Sequence, residues 1–144
     1  MRGHPLHPPL TDVTIGAYTF ATIAAVLSKA GVADRGLASA WWLALLVALG
    51  STVLTASTGF IDWIGIEWGS AVWKTATLHM TAMVSASVVF LAAALVGHHA
   101  YVRHEVSTAG LVLTLAGFGV LTLGGWLGGT LVYVYGMRVN ADGR

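Results

Sequence analysis

Cysteine is absent from this chain of 144 residues, which excludes disulfides, thiolate metal sites and cysteine-ligated iron–sulfur clusters within it. Charge is scarce as well. Only 9% of residues are Asp, Glu, Lys or Arg, against about 25% in a soluble domain whose surface must satisfy water. The formal net charge is +1, so no basic footprint for nucleic acid is expected. Proline occurs three times, at Pro5, Pro8 and Pro9, all ahead of the first apolar run. These prolines predict a stiff, extended lead-in. The opening Met1-Arg2-Gly3-His4-Pro5 lacks the apolar core and cleavage site of a secretory leader, so none is expected. No Ser or Thr stands in a nucleophile-elbow motif, which argues against hydrolytic chemistry.

What is abundant is apolar surface: 56% of the residues are hydrophobic. They gather in four runs, at about 12–32, 38–61, 72–97 and 108–135, each reaching the ~20 residues a helix needs to cross a hydrocarbon core. The expectation is one domain over 1–144, an all-α integral membrane protein folded as a four-helix transmembrane bundle. The turns are short, so successive helices should run antiparallel. Up-down-up-down topology then puts both termini and the second loop on one side of the membrane. Trp63, Trp68, Trp73, Tyr133 and Tyr135 fall on that terminal side and Trp41, Trp42 and Tyr101 on the other, as interfacial belts would. Lysine and arginine are too evenly divided between the two sides to orient the chain.

Polar groups concentrate toward the terminal side. Ser51, Thr55, Thr58 and Asp62 recur at helical spacing on one face of the second span. Asp12 begins the first span, and His4 and His7 precede it. His79 is the one histidine well within an apolar run, a position where ionisable groups usually face the bundle interior and mark function. Folding gathers His4, His7, Asp12, Asp62 and His79 into one membrane half. The opposing reading is structural, with His79 merely hydrogen-bonded to Asp12, Asp62 or a backbone carbonyl. His98, His99 and His104 belong to the opposite side and read as a solvated turn. Gly124, Gly125, Gly128 and Gly129 form two overlapping small-xxx-small pairs. Close helix packing is the favoured explanation, and a groove for a flat ligand at Gly124 and Gly128 is the sharper one. The four spans suggest a doubled hairpin, but no convincing sequence repeat accompanies it.

Residues 4–16 (HPLHPPLTDVTIG), the turn STGFIDW (57–63), His79 and LGGTLVYVYGMRV (127–139) resemble a bacterial four-helix membrane family, domain of unknown function 2231. The resemblance covers nearly the whole chain. It implies interest in His4, His7, Asp12, Asp62 and His79, and residence near an electron-transfer chain, since members of the family look to be joined in some bacteria to a C-terminal Rieske domain. It further implies a bacterial inner membrane, with the termini outside the cytoplasm. With the sequence stopping at Arg144, any Rieske partner is expected to be a separate protein. The chain departs from the family pattern in two places: Val13-Thr14 replaces Leu-Pro or Phe-Pro, and Met83 stands where asparagine is usual.

Three functions follow as expectations. One is a b-type haem protein that passes electrons, in exchange with quinone, using His79 and His7 as axial ligands and His4 or Met83 as substitutes. Another is a non-haem transition-metal site built from His4, His7, Asp12, Asp62 and His79. The last is a structural subunit without a cofactor, homo-oligomeric or joined to a partner protein that supplies the chemistry, in which the polar cluster only pins the opening segment against the bundle. The first two predict a redox or metal-binding protein rather than an enzyme acting alone.

Overall fold

The computed structural model describes residues 6–137. Four helices account for nearly all of it: α1 (His7–Lys29), α2 (Asp34–Ile64), α3 (Ala71–Val102) and α4 (Thr108–Tyr133). Each is long and apolar enough to cross a membrane. The helix starts have local causes. Ser70 and Ser107 cap α3 and α4 by accepting hydrogen bonds from the backbone N–H groups of Trp73 and Gly110. Gly31 (φ +83°) and Gly69 (φ +78°) turn the chain before α2 and α3 in a conformation that glycine adopts freely.

The start of α1 differs from the extended lead-in that the prolines suggested. The helix begins at His7, with proline in its first turn. No intrahelical N–H is needed there, and proline's fixed φ suits a helix. His7 is therefore a helical residue with a defined direction. The calls on His4 and Pro5 lie outside the described residues.

The helices pack as two antiparallel hairpins, α1/α2 and α3/α4, closed into a ring by α2 against α3 and α1 against α4. This is the expected four-helix bundle. The diagonal pairs meet through side chains: Tyr18 of α1 stacks on Phe90 of α3, and Trp41 of α2 donates its indole N–H to Thr114 of α4 at 3.0 Å. The core is rich in alanine, including Ala21, Ala25, Ala48, Ala86 and Ala93. Small residues let helices approach closely where lipid is as apolar as leucine and burial alone gives no drive to associate. Large side chains such as Val53, Ile61 and Leu95 point outward, each about two-thirds exposed, which suits hydrocarbon rather than water.

Trp41 corrects one expectation. It is wholly buried, so it is no interfacial anchor. Its ring fills the space over Gly97 and Gly110.

The two hairpins are structural repeats. A shift of 72 residues carries the buried set Thr14, Tyr18, Ala21, Thr22, Ala25 and Ser28 of α1 onto Ala86, Phe90, Ala93, Ala94, Gly97 and Ala100 of α3, all buried. A shift of 69 carries Trp41, Leu45, Ala48 and Thr55 of α2 onto Gly110, Thr114, Gly117 and Gly124 of α4, also all buried. Both hairpins start on the same side, so the repeat is parallel, about an approximate two-fold along the bundle.

Candidate functional site: a pair of tethered imidazoles

The repeat equates His7 with His79, and their surroundings match. The Nδ1 of His7 lies 3.0 Å from the carbonyl oxygen of Thr55 on α2. The Nδ1 of His79 lies 2.8 Å from the carbonyl oxygen of Gly124 on α4. A carbonyl can only accept, so each Nδ1 carries the hydrogen and each Nε2 of a neutral ring keeps a free lone pair. Neither Nε2 has a hydrogen-bond partner among the described residues.

Each ring also rests on a glycine one turn beyond the carbonyl it bonds. A Cβ built on Gly59 would lie 2.7 Å from Cε1 of His7, and one on Gly128 would lie 3.0 Å from Cε1 of His79. Both imidazoles are partly buried. Each stands eleven residues, about three helical turns, before its partner in the central Tyr18–Phe90 stack, which places it on the same inward face.

Around His7 the α1/α2 contact is lined with hydroxyls. Thr14 bonds Ser51 at 3.0 Å and Thr55 at 2.9 Å. Tyr18 bonds Thr52 at 3.1 Å, and Thr58 lies 3.4 Å from His7 Nδ1. The stripe Ser51, Thr55 and Thr58 thus faces α1 and joins the helices. The equivalent positions of the second hairpin carry Ala86, Phe90, Val120, Leu121, Gly124 and Leu127. One half is glued by hydroxyls and the other by close apolar packing.

The two expected carboxylates do not tether His79. Asp12 is exposed and Asp62 half-buried. Neither accepts the ring N–H of His79, which goes to the Gly124 carbonyl instead. No group of three or more His, Asp or Glu side chains capable of holding a metal ion forms among the described residues. His4 lies outside the described residues, so the full expected set of His4, His7, Asp12, Asp62 and His79 falls partly beyond them. Gly124 and Gly128 face α3, where Met83 and His79 cover them: a Cβ on Gly124 would lie 2.7 Å from Met83 Sδ. They serve close packing and leave no open groove. Gly125 meets nothing and Gly129 only its own helix's Tyr133. At the far end, His98 leans on Trp42 and His104 bonds Ser39, well apart from the pair.

Gly59 escaped the sequence reading, and so did the identity of the tethering carbonyls, although a backbone carbonyl was among the acceptors expected for His79. The signal for Gly59 was available: in each half, a histidine early in the first helix is answered by a glycine late in the second. The carbonyls have no signature, because every residue carries one.

These features define a four-span integral membrane protein with two tethered histidines on its terminal side. The chain belongs to the family described as Predicted membrane protein (DUF2231), whose model matches residues 3–141. No curated protein and no solved structure matches it.

Proposed function

We propose that this protein is a membrane electron-transfer protein in which His7 and His79 would hold one b-type haem on the terminal side. The observation that carries the reading is the matched pair of imidazoles, each with Nδ1–H given to a backbone carbonyl and Nε2 left free. Ligating histidines almost always donate their other ring N–H to such an acceptor, which fixes the tautomer and raises ligand basicity. The number of ligands also suits haem. Two imidazoles without a third protein ligand underfill a tetrahedral ion site, whereas haem iron takes its other four positions from the macrocycle.

Bound haem supplies one-electron redox chemistry. The chain orients the two nitrogens and shields the site within the bundle. Met83, one turn from His79, is the substitute ligand. Electrons would be exchanged with quinone in the bilayer or with a separate redox protein of the Rieske kind. We place the chain in a bacterial inner membrane with its termini outside the cytoplasm.

A second reading, a single transition-metal ion, draws on the closed glycine stripe. With Met83 and His79 seated over Gly124 and Gly128, those glycines offer no slot for a macrocycle. An ion needs only the two nitrogens and added water.

Visible spectroscopy of the protein purified from haem- and metal-supplied cells separates these readings. A haem protein shows an intense Soret band and, when reduced, α and β bands. His79→Ala abolishes them, His7→Ala weakens or shifts them, and His99→Ala leaves them unchanged. A colourless protein that retains metal supports the ion. One with neither sinks both and leaves the imidazoles as pins within the hairpins.

A further inference from the structure

The two imidazoles are alike in their main tether and unlike in one respect. Beside His7, the hydroxyl oxygen of Thr58 lies 3.4 Å from Nδ1. The Nδ1–H points to the Thr55 carbonyl, so Thr58 can serve that hydrogen only as a second, longer acceptor. Its own hydrogen goes to the Thr55 carbonyl at 2.9 Å or the Leu54 carbonyl at 3.1 Å. The repeat puts Leu127 where Thr58 stands, so His79 has no such hydroxyl and relies on the shorter 2.8 Å bond to Gly124. Position in the helix sharpens the contrast. His7 is the first residue of α1, whereas His79 lies two turns inside α3. A terminal residue frays more readily, so His7 has more need of a second hold on its ring.

We propose that Thr58 is the positioning residue of His7: its hydroxyl joins the Thr55 carbonyl in cradling the Nδ1–H, and so keeps Nε2 turned toward the site. The two ligands are consequently unequal. His79 is fixed by backbone alone, and His7 depends on a side chain that substitution can remove. This rests on the ligand-pair reading above, but the orientation of the ring can be tested without any cofactor.

The experiment is nuclear magnetic resonance of the full chain, labelled with nitrogen-15 at histidine, in lipid nanodiscs without haem or metal. Loss of a signal in His7→Gln or His79→Gln assigns each ring. In Thr58→Val, which keeps the shape and removes the hydroxyl, the Nδ1–H resonance of His7 moves while that of His79 stays. Thr58→Ser restores the original position. An unmoved His7 resonance in Thr58→Val, or equal movement of both rings, overturns the proposal.

Titration with hemin adds a second readout. Thr58→Val weakens binding by about tenfold, the low end of what outer partners of a metal ligand contribute, and Thr58→Ser recovers it. A loss that serine does not recover overturns the positioning role. If the unmodified chain binds no hemin, the haem reading fails and the resonance result alone decides the part played by Thr58.

Discussion

Tyr18 of α1 and Phe90 of α3 stack at the centre of the bundle, with ring centroids 4.0 Å apart and planes 11° from parallel. They occupy equivalent places in the two hairpins, and both are fully buried. Their neighbours are not equivalent. The Tyr18 hydroxyl meets Thr52, and the repeat puts buried Leu121 in the corresponding place near Phe90.

That difference predicts an asymmetric response to exchanging the rings. Tyr18→Phe should cost about 1 kcal/mol, the usual net value of one hydrogen bond, because Thr52 keeps its bond to the Ala48 carbonyl at 2.8 Å. Phe90→Tyr should cost about 1–3 kcal/mol, the penalty for burying an unpaired hydroxyl. Thermal unfolding in detergent measures both. A larger loss from Tyr18→Phe would contradict the assignment of neighbours.

The glycines of α4 divide into an inner and an outer pair, and leucine should tell them apart. Gly128→Leu must displace the His79 ring, with an overpacking cost of about 1–3 kcal/mol. Gly125→Leu projects into open space and should be tolerated. Equal melting temperatures for the two variants would show that the inner pair is not packed.

Trp41 and Gly97 should be coupled. Gly97→Ala alone drives a methyl group into the Trp41 ring and should destabilise the bundle. Trp41→Ala opens a cavity costing about 3–5 kcal/mol. With the ring removed, Gly97→Ala should become harmless. The same penalty in both backgrounds would refute the contact.

Topology can be read by labelling, since the chain has no cysteine of its own. Single cysteines at Val32 and Glu105, in the α1/α2 and α3/α4 turns, should react from one side of the membrane. Glu67→Cys, in the α2/α3 turn, should react from the other, the side outside the cytoplasm in our proposal. Shared accessibility of residues 67 and 105 would break the four-span reading.

The spans, their antiparallel order and the inward stripe Ser51, Thr55 and Thr58 were legible in the sequence. Helical period and membrane thickness determine them with little help from tertiary contacts. Three features were not. The His-Pro-Pro opening read as extended because proline's φ is shared by the extended chain and the first turn of a helix. The doubling was hidden because the repeats preserve burial rather than identity: Trp41 answers Gly110, and Leu45 answers Thr114. The buried Trp41 was assigned to the membrane surface because its place depends on which glycines of other helices stand opposite. For His79 the sequence left Asp12, Asp62 and a backbone carbonyl open as acceptors, and the structure selects the carbonyl. A backbone acceptor 2.8 Å away leaves no mark in the residue pattern.

The buried indole of Trp41 also governs direction of access. Together with the Tyr18–Phe90 stack it stoppers the bundle between the histidines and the far face. At that level three large buried rings plug the bundle along its axis, so the four described helices enclose no through-channel there.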